Sequence, residues 1–421
     1  MAGSRRKLSP EDAERETQLL RYRASLEDPE TTLPALPMVL DDVGRLLERG
    51  PVQVLLVRIE QEQSLEQIVG WERYDGMVRV VAETLREALI TGSGCPTVLC
   101  QTLVRGDEFL VFSPDRRGAV RLREFLTGLT LPDETTGDRV AVPVRAGEGT
   151  VNRSPAQRLE RCIYAGVEEA RRDFERRGQS LDEEREVELR SILRERRVRT
   201  LFQAIVRVPQ QTVIGYEALS RGPEGSYLEP ANRLFGFSER AGLVGELELL
   251  CVERALTSAH GLPLGSTIFV NLSVRGLEFL ETQVGGLARV VRQNGWSPRE
   301  VVLELTERTY SENPTLLRQR VDAMRQEGFR IAIDDMGTGY ASLHVLADLR
   351  PDYIKLDRLL VHDLAAEPIK RNLVTAITGF AHTAQSLVIA EGVERREDAQ
   401  ALQDLGIYLL QGYLFGMPKA V

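Results

Sequence analysis

From Thr200 to the end, the chain repeats one alternation, and this alternation constrains the fold more than any other feature. Eight short apolar runs recur: TLFQAIVRV (200–208), TVIGYEALSR (212–221), STIFVNLS (266–273), VVLELTE (301–307), RIAIDDM (330–336), YIKLDR (353–358), SLVIAEGV (386–393) and YLLQGYLFG (408–416). Between most of them lie amphipathic stretches such as LEFLETQVGGLARVVRQNG, TLLRQRVDAMRQEG and EDAQALQDLG, each ending at a glycine suited to close a helix. Strands alternating with helices imply parallel pairing in βα units. Eight such strands in about 220 residues predict a (β/α)8-type, TIM-like barrel. The first two runs are joined only by PQQ, too short for a crossover helix, so they are expected to pair antiparallel.

The residues that interrupt these runs carry the chemistry. Seven strands hold an ionisable or amide residue near the C-terminal end: Glu217, Asn271, Glu304 with Glu307, Asp334 with Asp335, Lys355, Glu391 and Gln411. In such a barrel those ends face one common pit. Several carboxylates converging there would repel one another unless a cation lay among them. Oxygen-only ligands, without cysteine or histidine, select a hard ion such as Mg2+ or Mn2+. The adjacent Asp334 and Asp335 suit a centre of two ions about 3.5–4 Å apart, an arrangement adapted to cleaving a phosphodiester. Lys355 can meet an anionic substrate or help move a proton.

The first half reads differently. Residues 1–25 form a charged, helical lead-in, and residues 26–178 mix strands with helices. VQVLLVRIE (52–60) and TLVRGDEFLVFS (102–113) read as strands, while residues 76–89 and 155–175 carry helical spacing. Charges of both signs and few large apolar residues mark 179–199 as a helical linker, exposed and solvated. The scattered Cys95, Cys100, Cys162 and Cys251 lack any paired spacing, which fits a reducing compartment. Nor do the four histidines show ligand spacing, so ordinary surface or core roles are expected for them. A net charge of −9 disfavours nucleic acid as a partner. With no signal peptide and no membrane-length apolar run, a cytoplasmic protein is expected, and any membrane attachment would come through a partner.

In order, YEALSRG, FVNLS, LELTE, IDDMGTGYASL, YIKLDR, AEGVE and QGYLFGMP resemble an EAL domain, the phosphodiesterase module that hydrolyses cyclic di-GMP. The match covers residues 200–421. The resemblance implies metal ligands at Glu217, Asn271, Glu304, Asp334, Asp335 and Glu391, with two Mg2+ or Mn2+ ions per site. Lys355, Glu391, Glu307 and Gln411 fall at catalytic-centre positions, Glu307 as the anchor of the loop DDMGTGYASL. Gln203, Arg221 and Asp357 fall at substrate positions, Arg221 being suited to a phosphate oxygen. The implied product is linear pGpG, and the implied assembly is a homodimer through this domain. Two positions depart from the family pattern: Ala204 stands for a proline and Met336 for a phenylalanine.

The preceding half resembles a GGDEF domain, an α+β nucleotidyl-cyclase-like module, in degenerate form. VRGDEFLVF keeps Gly106, Asp107, Glu108 and Phe109 but places Arg105 where the first glycine belongs. Family register puts Arg58 at the first metal-binding aspartate, Glu66 at the guanine-reading asparagine and Asp75 at the second guanine contact. An arginine cannot ligate Mg2+, so loss of cyclase activity is expected, leaving a regulatory, dimerising or protein-docking role. The sequence leaves two functions open for the whole: an active phosphodiesterase, or a cyclic di-GMP receptor or scaffold that signals through the linker without turnover.

Overall fold

The computed structural model describes residues 26–59, 71–91, 97–102, 105–127, 129–132, 139–142, 144–284, 286–306, 314–337 and 343–421. The lead-in 1–25, Cys95, Glu66 and Glu307 lie outside these residues. The chain divides into two compact units, Met1–Glu183 and Glu184–Val421. Among the described residues no helix is long and apolar enough to cross a membrane.

The first unit holds helix α1 (Leu40–Leu47), strand β1 (Val52–Ile59), α2 (Trp71–Thr91), β2 (Val98–Thr102), β3 (Arg105–Ser113) and α3 (Arg116–Thr127). A small ribbon of β4 (Thr130–Pro132) and β5 (Arg139–Ala141) follows, then β6 (Val144–Val151). The main sheet has the order β2-β3-β1-β6 and is antiparallel throughout. The expected strand 102–113 is thus a hairpin: Thr102 ends β2, and the ladder resumes in β3. Both faces are covered, which is why VQVLLVRI reads as a continuous apolar run. Val54 and Leu56 pack with Val43, Ile163 and Phe174 on one side. Leu55 and Val57 pack with Val78, Val81 and Leu85 on the other. Alternation along the strand divides the two sets.

Helix α4 (Leu159–Glu195) is continuous for 37 residues, and the division between the units falls within it. The expected exposed linker therefore needs correcting. Leu189 and Ile192 are fully buried with Leu234, Phe237 and Leu247. Two apolar residues on one helical face are enough to seat it, even among many charges. The basic residues just after it are ion-paired rather than merely solvated, with Arg196 to Glu253 at 2.6 Å and Arg199 to Glu229.

The second unit closes into an eight-stranded barrel, in the order β10-β11-β12-β13-β14-β7-β8-β9. Its strands are β7 (Arg199–Arg207), β8 (Thr212–Arg221), β9 (Thr267–Asn271), β10 (Val301–Thr306), β11 (Arg330–Met336), β12 (Tyr353–Leu356), β13 (Leu387–Ala390) and β14 (Leu409–Leu410). As expected from the short PQQ link, β7 runs antiparallel to its neighbours β8 and β14, and every other pairing is parallel. The helices are α5 (Ala231–Arg240), α6 (Val244–Ser258), α7 (Val274–Val284), α8 (Leu287–Gln293), α9 (Pro314–Glu327), α10 (Leu343–Leu349), α11 (Arg358–Val361), α12 (Pro368–Ala384) and α13 (Arg396–Asp404). The stretch expected as one helix over 277–295 is two, α7 and α8, parted at Gly286 with φ 99°. The last three strands are shorter than their apolar runs, so that Asp357, Glu391 and Gln411 lie just past their ends.

Period-two alternation sorts the barrel residues. Ile205, Phe269, Val302, Ala332, Tyr353, Ile389 and Leu409 form an inner cluster drawn from seven strands. Their neighbours, such as Ile268, Leu303, Ile331, Ile354 and Ala390, join the outer core beneath the helices. The rings of Phe269 and Tyr353 meet edge-on at 5.2 Å, and Gly215 on β8 leaves room for the Phe269 ring. This apolar layer is the floor of the pit above it. Phe269→Ala should therefore destabilise the protein by about 3–5 kcal/mol. Urea unfolding measures this, and a loss under about 1 kcal/mol would mean that Phe269 does not fill the barrel.

Candidate active site

The polar side chains sit one inward step above this layer. Two residues beyond Phe269, Val302, Ala332, Tyr353, Ile389 and Leu409 come Asn271, Glu304, Asp334, Lys355, Glu391 and Gln411. On the antiparallel β7 the step runs backwards, from Ile205 to Gln203, and Glu217 is in register with both Gln203 and Phe269. A two-residue step keeps a side chain on the same face of a strand, so the local backbone carries all of these groups to one pit.

Lys355 is at the centre and fully buried. Its Nζ lies 2.6 Å from Glu304 Oε1, 2.6 Å from Glu391 Oε1, 3.2 Å from Asp334 Oδ1 and 3.5 Å from Glu217 Oε1. Asn271, at the open rim, donates Nδ2 to Glu217 Oε1 at 3.2 Å and to Glu304 Oε2 at 3.1 Å. Gln411 donates to Glu217 Oε2 and, at 3.1 Å, to Gln203 Oε1. Gln203 in turn donates to the Gly416 carbonyl at 3.1 Å. Half-buried Arg221 donates to the Ser220 carbonyl at 2.8 Å. Asp357 caps α11 by accepting from Leu359 N at 2.7 Å.

Asp335 is the exception to the two-residue step, since plain alternation would send it to the opposite face from Asp334. The β11–β12 register slips between Ile333 and Met336, and Asp335 takes a left-handed φ of 60°. A bulge of this kind re-aims a side chain, and aspartate tolerates the left-handed region better than most residues. Met336 is buried in the outer core, and its carbonyl accepts from Asp357 N at 3.1 Å. Gly337, at φ 115°, is closely packed: a Cβ there would lie 2.3 Å from Leu360 Cδ1. Residues 338–342 lie outside the described set.

The electrostatics follow from four carboxylates sharing one ammonium. Burial pushes Glu304 and Glu391 well above the usual carboxylate range, and neighbouring negative charges add to it. Burial likewise raises Asp334, and with the charge of Asp334 it raises Asp335 to about 6. Glu217 is also desolvated, but Lys355 and the amides of Gln411 and Asn271 outweigh that and hold it below its ordinary value. Lys355 stays strongly protonated despite its own burial, because carboxylates surround it.

These residues fit a hard divalent cation. Among the described residues, carboxylate oxygens of the buried Glu217, Glu304 and Asp334 lie within 4.8 Å of one another. Glu304 Oε1, Glu391 Oε1 and Gln411 Oε1 are buried without an aligned hydrogen bond. Turning the Asn271 amide over would present its oxygen to the same place.

In the first unit, Arg58 pairs across the sheet with buried Glu108, at 2.5 Å, and Arg171 of α4 closes on the same carboxylate at 3.0 Å. Burial alone would raise Glu108, but the two arginines hold it below its ordinary range. Asp107 accepts from the Tyr74 hydroxyl at 3.1 Å.

The sequence reading passed over Glu248, which holds the chain just after Asn271. Its signal was positional: within VGELELLCVERAL it shares the buried stripe of Val244, Leu247, Cys251 and Ala255.

With EDTA present, the thermal midpoint should be higher at pH 6 than at pH 8. Across that window Glu304 and Glu391 keep protons in the folded state that the unfolded chain has released, and Asp335 gives up its own just above pH 6, so stability falls as pH rises. A midpoint that climbs between pH 6 and pH 8 would show that the buried carboxylates are ionised together.

Three comparisons bear on this site. The family model described as "EAL domain" matches residues 186–418. The chain is 32% identical to the probable cyclic di-GMP phosphodiesterase PdeG of Escherichia coli, over 52% of this chain and 44% of that one. It is 26% identical to the uncharacterized protein y4lL of Sinorhizobium fredii, over 94% of this chain and 50% of that one. The chain spans half or less of the length of these curated relatives. Among solved structures, PaMucR phosphodiesterase in complex with c-di-GMP matches with TM-score 0.50 and 29% identity, over 55% of this chain and 96% of that one. The Vibrio cholerae LapD S helix-GGDEF-EAL structure matches with TM-score 0.50 and 17% identity, over 96% of this chain and all of that one, a likeness of fold alone. With more than half its length matched to the family model, and with the acidic ring of its barrel inside that match, the chain belongs to the EAL domain family.

Proposed function

We propose that the barrel hydrolyses one phosphodiester of cyclic di-GMP to give linear pGpG. The observation that carries this reading is the ring of Glu217, Glu304, Asp334 and Glu391 closed around Lys355 above an apolar floor. The similarity to PdeG, a probable cyclic di-GMP phosphodiesterase, and to the PaMucR complex with c-di-GMP supports the substrate. Glu217, Asn271, Glu304, Asp334, Asp335 and Glu391 would hold two Mg2+ or Mn2+ ions. When bound, such ions activate water and stabilise charge on phosphate oxygens.

The chain's own groups divide the remaining work. Gln411 and Gln203 orient Glu217 through their paired amides, while Lys355 keeps a fixed positive charge beside the reacting phosphate. Arg221 and Asp357 engage the dinucleotide. A water oxygen bonds to phosphorus and the bond to the ribose 3′ oxygen breaks. With cations bound, Glu391 would be ionised and would accept the water's proton, and the leaving ribose 3′ oxygen takes its proton from solvent.

We read residues 26–178 as a degenerate GGDEF domain, 179–199 as a helical linker and 200–421 as the EAL domain. The Arg58–Glu108–Arg171 cluster supports loss of cyclase activity, because guanidinium groups occupy the position where a metal would be needed. The LapD likeness in fold is in keeping with this division.

Purified protein given cyclic di-GMP with Mn2+ should yield pGpG, and Glu217→Ala should abolish the product while leaving the circular dichroism unchanged. Nucleotide binding without turnover in the wild type would favour a receptor instead. With GTP and Mg2+, neither the wild type nor Asp107→Ala should form cyclic di-GMP. Cyclase activity in the wild type would refute the reading of the first unit.

A further inference from the structure

Glu248 is a barrel carboxylate outside the acidic ring. It lies on α6, is 5% exposed, and receives all of its hydrogen bonds among the described residues from Ser273. Ser273 N donates to both carboxylate oxygens at 3.2 Å, and Ser273 Oγ donates to Oε2 at 3.1 Å. The approach to the facing helix is close, and Glu248 Oε2 occupies the space that a Cβ at Gly276 would take. Burial pushes this carboxyl up to about 7, against the hydrogen bonds from Ser273. An apolar residue would suit the stripe better by area alone, so the carboxylate serves something other than core packing.

Ser273 comes two residues after Asn271 and begins α7. Its carbonyl accepts from Leu277 N at 2.9 Å and its Oγ accepts from Gly276 N at 3.0 Å. Between the two, Leu272 N donates to the Glu304 carbonyl at 3.0 Å. The backbone that carries Asn271 is therefore tied to β10 on one side and to Glu248 on the other. Asn271 itself is exposed, and among the described residues its side chain makes two amide bonds, to Glu217 and Glu304. Its position depends on how that backbone is held.

We propose that Glu248 is a positioning residue for the cation site, setting the Asn271 amide between Glu217 and Glu304 by fixing Ser273. This rests on the reading of Asn271 as a cation ligand. The measurement is Mn2+ affinity of the full chain, read from the electron paramagnetic resonance of free Mn2+, which needs no turnover. Glu248→Leu should weaken Mn2+ binding about 10–100-fold, the range typical of groups that orient metal ligands. Glu248→Gln, which keeps one acceptor oxygen, should restore part of that loss. Ser273→Ala, which keeps the backbone donor, should weaken binding less than Glu248→Leu and should fold normally. In an Asn271→Ala background, Glu248→Leu should cause no further loss. Wild-type Mn2+ affinity in Glu248→Leu would overturn the positioning role alone. An undiminished loss in the Asn271→Ala background would also overturn it, by showing a merely structural effect. Absence of Mn2+ binding by the wild type would overturn both this role and the phosphodiesterase reading.

Discussion

One buried ammonium among four carboxylates organises the barrel's upper half. Lys355 has no exposed surface and meets Glu217, Glu304, Asp334 and Glu391. One positive charge does not balance four potential negative ones, and the pit answers in two ways. Glu304 and Glu391 hold protons far more tightly than free carboxylates, while Glu217 is kept ionised by Lys355 and two amides. Such a cluster costs stability when left to itself. That cost is what gives the site affinity for further positive charge.

The apolar floor makes this arrangement possible. Ile205, Phe269, Val302, Ala332, Tyr353, Ile389 and Leu409 close the barrel beneath the pit, so the charged groups can approach solvent only from above. Asn271, Glu304, Asp334, Lys355, Glu391 and Gln411 each lie two residues beyond a floor residue of their own chain segment. Hydrophobic core and reactive centre are thus consecutive layers of one barrel. The outward residues between them bind the helices and leave the inner face to function.

In the first unit the same physics has a different outcome. Arg58 and Arg171 close on Glu108 and satisfy its charge internally, so this carboxylate is held ionised with no need of an external cation. The two clusters differ in stoichiometry: two guanidinium groups for one carboxylate there, one ammonium for four carboxylates in the barrel.

The sequence by itself determined the eight strands, the antiparallel start before and after PQQ, and the polar residues that interrupt seven of the apolar runs near their ends, because period and polarity are local properties of the chain. It also marked Arg58 as incompatible with metal binding, a matter of side-chain chemistry alone. Strand lengths were less legible: in YLLQGYLFG only Leu409 and Leu410 pair, since pairing depends on where a neighbouring strand ends. Tertiary structure alone decided that Asp335 departs from strict alternation, because a bulge is set by register with β12. It alone seated α4 through Leu189 and Ile192, and it alone brought Glu248 to Ser273 across 25 residues. Local pattern dictates which way a side chain faces, whereas its partners, and hence its charge, depend on what the closed barrel brings alongside.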